Sequence, residues 1–231
     1  MKILLIGAHP DDIELGAAGT IAKHVTSNDE VYAIICSNGE RIGDARQRQH
    51  DANQSAMYLG IQEIYFLKLQ DTMIKEDSET IDRIERIIDR IGHIDRVYTH
   101  SSNDTNQDHR NVSKASISAC RNIRQVLFYE SPSSSIDFMP DYFIDITEFI
   151  KMKLEALKIY KSLNRRYLEV ESTKGQAQFR AYQAKITGYS EGFKIFKFVE
   201  EQWRKKKFVR NVDYQKGNVL CHYRWKNMRK M

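Results

Sequence analysis

Two short segments of this chain bring histidines and carboxylates close enough together to do chemistry. The first is His9-Pro10-Asp11-Asp12, directly after an apolar N-terminal run. The second is His100-Ser-Ser-Asn-Asp104-Thr-Asn106-Gln-Asp108-His109-Arg110. Imidazole and carboxylate are the groups from which catalytic metal sites and general acid–base pairs are built. A simpler account has Asp11 or Asp12 capping the helix that follows. That explains one acid, but not a histidine and a second acid beside it. Taken alone, a histidine in a polar loop is a solvated residue. Two such clusters at the ends of neighbouring strands would instead converge on one pocket.

The elements that must position these residues alternate. Lys2–Ala8 reads as a buried strand, residues 13–25 as a helix, Glu30–Cys36 as a second strand and Arg46–Leu59 as a second helix closed by Gly60. Glu63–Leu67 is a third strand. Ser78–Ile91 is the clearest amphipathic helix, with Ile81, Ile84, Ile87, Ile88 and Ile91 on one face. Val97–His100 begins a fourth strand, residues 108–120 a helix and Gln125–Tyr129 a fifth strand. After Pro132 the pattern changes: residues 143–147 suggest a strand, 148–163 and 175–189 helices, and 194–199 a strand. Strand–helix alternation indicates a parallel-sheet α/β fold, and ligands of such sheets collect at the carboxyl ends of the strands. Both clusters fall there. His24, His50, His93 and His222 have no partner pattern and read as surface residues. Gly16 and Gly19 lack the spacing of a dinucleotide-binding loop, and the adjacent acids would repel a pyrophosphate.

The chain has 231 residues, 41% of them hydrophobic, which suffices for one large domain. Three cysteines are too few for a disulfide scaffold, and no apolar run approaches the roughly 20 residues of a membrane span. The short N-terminal apolar run is followed by acids and reads as a strand rather than a leader, so the expected location is cytoplasmic. The net charge of +5 is uneven. Residues 201–231 hold 10 Lys and Arg against 2 acids; the rest of the chain holds 26 against 29. The basic tail interleaves Trp203, Phe208, Tyr214, Tyr223 and Trp225 with its cations, a mix that suits nucleic acid or an anionic glycan. The plainer reading is an extension that packs through its aromatics. The body is mildly acidic, so nucleic acid is not the expected partner. The expected division is a catalytic domain over residues 1–200 and a basic aromatic extension over 201–231.

AHPDDIELGAAGTI, followed by HSSNDTNQDHRNV, resembles the LmbE/PIG-L family of zinc-dependent N-deacetylases, whose signatures are AHPDD after the first strand and H-x3-D-x3-DH after the fourth. The intervening SNGERIGDARQRQHDANQSAMYLGI is similar as well, and the likeness covers roughly residues 1–165. The resemblance implies one Zn²⁺ per chain on His9, Asp12 and His109, with Asp11 as the general base. The spacing is compatible, since one turn can aim His9 and Asp12 at one ion while Asp11 points elsewhere. Many members carry a second histidine three residues before the ligand histidine; here that position is Asn106, which can donate a hydrogen bond to an oxyanion but cannot supply a proton. Arg48 falls where the family has an arginine associated with substrate, or else it is a solvated helix residue. Asp108 orients a neighbour or caps its helix, and His100 orients a ligand or is structural.

The implied fold is a Rossmann-like three-layer sandwich with a mostly parallel sheet and the metal site at the C-terminal ends of strands 1 and 4. The implied reaction is removal of an N-acyl group, foremost N-acetyl, from an amino-sugar conjugate by a metal-bound water. A homo-oligomer is expected. The alternatives are an amidohydrolase acting on a non-sugar amide, and a glycan- or nucleotide-binding protein with a vestigial site.

Overall fold

The structure, a computed structural model, describes residues 1–163, 165 and 168–200. The basic extension over 201–231 lies outside the described residues. Lys2–Gly7 (β1) is buried from Ile3 onward, as a central parallel strand covered on both faces must be. It pairs in parallel with Glu30–Ser37 (β2) and Arg96–His100 (β4). Glu63–Leu69 (β3) joins β2, and Gln125–Tyr129 (β5) joins β4, both in parallel. Ser190–Phe198 (β7) then runs antiparallel to β5 and to the edge strand Tyr142–Asp145 (β6). The sheet order is β3-β2-β1-β4-β5-β7-β6, with the reversal of direction of winding between β1 and β4. The two clusters therefore sit side by side at the switch point.

Helices cover both faces. Asp12–Thr26 (α1), Ala45–Leu59 (α2), Ile150–Lys158 (α5) and Val170–Gln183 (α6) enclose one apolar cluster; Ser78–Ile91 (α3) and Gln107–Ala119 (α4) enclose the other. The isoleucine face of α3 packs as its spacing requires, with Ile84 and Ile91 buried and Ile81, Ile87 and Ile88 half-buried. Asp44 and Asp77 cap α2 and α3 by accepting from Gln47 N and Thr80 N. Among the described residues no helix is long and apolar enough to cross a membrane.

Three sequence expectations shift in the C-terminal third. The last long helix is Val170–Gln183 rather than 175–189, because Lys185 turns left-handed at φ +59° and the Lys185 and Ile186 N–H groups fold back onto the Tyr182 and Ala181 carbonyls. The last strand begins at Ser190 rather than 194, because β6 pairs with residues 190–193 before β5 takes over from Phe193. The segment expected as one helix over 148–163 is α5 followed by a 3₁₀ turn, Ile159–Leu163.

Helix α1 lies unusually close to the sheet. A Cβ on Gly16 would come within 2.9 Å of three Tyr129 side-chain atoms, and one on Gly19 within 2.8 Å of Ile146. The helix is also entered from outside. Glu191 of β7 accepts from the backbone N–H groups of Gly19 (3.1 Å) and Thr20 (2.7 Å), while Lys153 of α5 donates to the Leu15 carbonyl (2.6 Å) and to Glu191 (2.6 Å). In a regular helix Gly19 N–H would belong to the Leu15 carbonyl.

Close packing and open space predict opposite signs for two glycines. Gly16→Ala should lower stability by about 1–3 kcal/mol through overpacking against Tyr129. Gly175→Ala, exposed in the interior of α6 with nothing near its missing Cβ, should raise stability by up to about 1 kcal/mol. Urea unfolding of both variants measures the difference.

Candidate metal centre and catalytic cleft

The turn after β1 sends two adjacent carboxylates in different directions. Asp11 sits at the N-terminus of α1 with φ +102°, a left-handed conformation that costs a non-glycine residue of order 1–3 kcal/mol. Its side chain makes no capping bond, so the cap reading of this acid is excluded. Asp11 Oδ1 lies 3.6 Å from Arg48 Nη2. Asp12 turns the other way. Its Oδ2 accepts from His9 N (2.7 Å) and lies 3.0 Å from His100 Nε2, and its Oδ1 is 3.4 Å from His109 Nε2.

Each histidine is held from behind. His109 Nδ1 meets Asp104 Oδ2 (3.2 Å) and Ser133 Oγ (3.1 Å), which turns Nε2 toward Asp12. His9 Nε2 meets Asp71 Oδ1 (3.1 Å) and Asp108 Oδ2 (3.2 Å), and its Nδ1 is 3.5 Å from Asp12. His100 is fully buried and stacks on His109 at 3.9 Å. Both histidines of the second segment are buried, so the solvated-loop reading of them fails. Asn106, not Asp108, caps α4, accepting from Asp108 N at 2.9 Å. Asp108 accepts instead from Thr72 N at 2.7 Å.

Among the described residues three sets of side chains bring ligand atoms within 4.8 Å of one another: His9/Asp12/His109, His100/Asp104/His109 and His9/Asp71/Asp108. Only the first lies wholly on the wall of the main cleft, a cavity of about 360 Å³ also lined by Asp11, Arg48, Asp71 and Asn106. His9 Nδ1 lies 3.5 Å from Asp12 Oδ2 and His109 Nε2 lies 3.4 Å from Asp12 Oδ1, and imidazole and carboxylate are the ligands of catalytic zinc sites. The residues present fit a divalent cation.

Burial and charge set the protonation states. Burial, reinforced by the charge on Asp12, raises Asp11 to about 7, against the pull of Arg48. Burial works to raise Asp12 too, but His109 and His100 outweigh it and hold Asp12 well below the usual carboxylate range. Burial and the charge of His109 lower His100 to about 4, so its ring is neutral. His109 is raised to about 9, because Asp12 and Asp104 outweigh its own burial.

Arg48 is buried rather than on a solvated helix face. Its Nη2 donates to the Pro10 carbonyl at 2.6 Å, and a Cβ on Gly39 would collide with its guanidinium. Its Nε and Nη1 are buried without hydrogen-bond partners. The loops 39–45 and 131–142 contribute Gly39, Arg41, Ile42, Pro132 and Ser133 to the cleft. Two residues that carry the geometry had no assigned role in the sequence. Asp71 follows β3 and accepts from Arg41 N (2.8 Å) besides meeting His9; Asp104 binds Ser131 Oγ (2.7 Å) and Asn106 N (2.8 Å) besides His109. An acid at a third strand's carboxyl end was the available signal for Asp71. His24 is not a surface residue: its ring is half-buried between Asp29 (2.7 Å) and Tyr98 Oη (3.0 Å). His50 and His93 are exposed, and His222 lies outside the described residues.

Residues 4–120 match the family model described as PIG-L, GlcNAc-PI de-N-acetylase. A protein of Escherichia coli K12 named an uncharacterized deacetylase, YaiS, is 37% identical over 167 residues, covering 69% of this chain and 90% of that one. The N,N'-diacetylchitobiose deacetylase of Pyrococcus horikoshii superposes with a TM-score of 0.74 at 23% identity, over 85% of this chain and 84% of that chain. GalB of Pseudomonas putida, a 4-carboxy-2-hydroxymuconate hydratase, superposes with a TM-score of 0.76 at 23% identity, over 87% and 99%. The fold thus carries more than one chemistry, and function has to be argued from the site.

A buried carboxyl raised to about 7 is a stability liability once it ionises. A group favoured neutral in the folded state loses stability as pH rises from its unfolded pKa near 4 through its folded value. Metal-free Asp11→Asn should therefore melt above metal-free wild type at pH 8, by an amount worth a few kcal/mol, and the gap should close toward pH 4. Thermal melts in chelator across that range measure it.

Proposed function

The chain belongs to the PIG-L family, and from that premise we propose that it is a metal-dependent hydrolase removing an N-acyl group, foremost N-acetyl, from an amino-sugar conjugate. The observation that carries this reading is the divergence of Asp11 and Asp12 onto one cleft. Asp12 joins His9 and His109 in a donor set, while Asp11 keeps a pKa near neutrality.

His9, Asp12 and His109 would hold one Zn²⁺. When bound, the ion supplies Lewis-acid chemistry, lowering the pKa of a water and drawing charge from an acyl oxygen. Asp11 takes a proton from the attacking water and delivers it to the nitrogen as the C–N bond breaks, giving a carboxylate and an amine. A pKa of about 7 suits both directions of that transfer. Asn106 has its Oδ1 committed to the helix cap, which leaves its amide N–H to donate to the acyl oxygen. Arg48 offers Nε and Nη1 to acceptor oxygens of the substrate. Asp108 and Asp71 act through His9, and His100 through Asp12; these are positioning residues.

The family description names an N-acetylated amino sugar, which supports that substrate class over other amides. Loops 39–45 and 131–142 would read what the sugar carries. A screen of N-acetylglucosaminides with varied aglycones, set against simple N-acetyl amino acids and scored for released amine, tests the reading. Turnover of the amino acids alone would replace it with the non-sugar amidohydrolase.

Variants should separate the roles. His109→Ala should lose zinc and activity together. Asp11→Asn should keep stoichiometric zinc and lose on the order of 10²-fold or more in turnover. Asn106→Ala should cost about 2.7–4 kcal/mol in kcat if its amide is a full oxyanion donor. Metal content and kcat measured on the same preparations decide each case.

A further inference from the structure

A second cavity, of about 450 Å³, opens at the other end of the sheet, between the C-terminal half of α1, the start of β4 and the edge strand β6. Arg96 lies in its wall and is 8% exposed. Every hydrogen bond it makes goes to a neutral oxygen. Nε donates to Gln125 Oε1 (2.7 Å), and Nη1 to Tyr98 Oη (3.1 Å) and Tyr142 Oη (3.4 Å). Among the described residues Nη2 has no partner, and no carboxylate pairs with the guanidinium. The rings of Tyr142, Phe198 and Tyr98 stand 5.5, 5.7 and 5.9 Å from its central carbon.

A buried guanidinium without a counter-charge is costly, and buried arginines are normally paired. Among the described residues the other two buried arginines follow the rule: Arg48 faces Asp11, and Arg180 pairs with Glu130. The acids near Arg96 are engaged elsewhere. Asp29 accepts from the N-terminal ammonium (2.6 Å) and meets His24 (2.7 Å), and Asp145 accepts from Thr147 N (2.9 Å). Lys23 contributes a second cation to the same wall. It spends one N–H on the Asp145 carbonyl (2.9 Å) and keeps two. Thr20 also lines the cavity, and its buried Oγ1 has no partner.

We propose that this cavity binds a small organic oxyanion, a carboxylate or a phosphate monoester, through Arg96 Nη2 and Lys23 Nζ. Tyr142 and Phe143 supply a wall for a flat apolar body, and the Thr20 hydroxyl supplies one further polar contact. The volume is that of a small-molecule site. Asp29 and Asp145 line it too, but both are engaged, by the N-terminal ammonium and by Thr147 N, and the guanidinium without a counter-charge selects an anion. The site is separate from the cleft at the carboxyl ends of β1 and β4.

Calorimetric titration of the full-length protein with phenyl phosphate, benzoate and inorganic phosphate tests this. Saturable binding of phenyl phosphate or benzoate is expected, with inorganic phosphate weaker for want of the apolar body. Arg96→Gln should weaken it at least ten-fold and Lys23→Ala several-fold, while His9→Ala, in the first cleft, should leave it unchanged. If Arg96→Gln fails to fold, Lys23→Ala, which alters an exposed helix residue, decides. The proposal is overturned if wild type binds none of the three, if Lys23→Ala and any folded Arg96→Gln bind as tightly as wild type, or if His9→Ala abolishes binding, which would put the anion in the first cleft.

Discussion

A carboxylate taken out of water has to be paid back in partners, and the carboxylate of Asp12 meets three imidazoles and a backbone N–H. Much of the site follows from that demand. The rings of His9, His100 and His109 must crowd one acid, so they must come from the ends of two adjacent strands and the helices that follow them. Each ring then needs its far nitrogen or its face occupied. Asp71 and Asp108 meet His9, Asp104 and Ser133 meet His109, and His100 stacks on His109. The order of the sheet, with β1 beside β4, is the topological answer to an electrostatic requirement.

The same crowding separates the two neighbouring acids. Asp12 takes the imidazoles, while burial and its neighbour's negative charge act on Asp11 against the field of Arg48. The left-handed backbone at Asp11 is the local distortion that keeps the two side chains apart. A regular helix start would have offered one of them as a cap. Here strain takes the place of a capping bond, and two chemically identical residues acquire opposite protonation behaviour.

What could be read from the sequence was local, and what could not was distant. The strand before His9, the isoleucine face of α3 and the two clusters themselves are patterns over a few residues, and the structure bears out the strand and the helix face. Only the family resemblance set Arg48 apart from a solvated arginine on a polar helix, because the groups that bury it, Pro10 and Gly39, belong to other segments. Asp71 is 62 residues from His9, and His24 is 74 residues from Tyr98; no periodicity reports such pairs. The start of β7 was missed because residues 190–193, which pair with the edge strand β6, are all buried and do not alternate. Asn106 was read as a departure in catalytic chemistry, and its side chain also turned out to cap α4, a duty a histidine would not fill in the same way.

The insertion of Lys153 and Glu191 into α1 bears on how much chain is needed to write one helix. Residues 12–26 specify most of it, yet two of its amides and one of its carbonyls are completed by side chains 138 to 172 residues away in sequence. The segment that matches the family model ends at residue 120, before either side chain. A fragment cut there would carry every residue of the His9/Asp12/His109 set but not the final form of the helix that presents Asp12. Its α1 would lose the side chains that meet Leu15, Gly19 and Thr20, and the backbone that delivers Asp11 and Asp12 would lose its anchor to β7. The signature of this fold is therefore shorter than its cooperative unit, and a search for stand-alone pieces should start from residues 1–199.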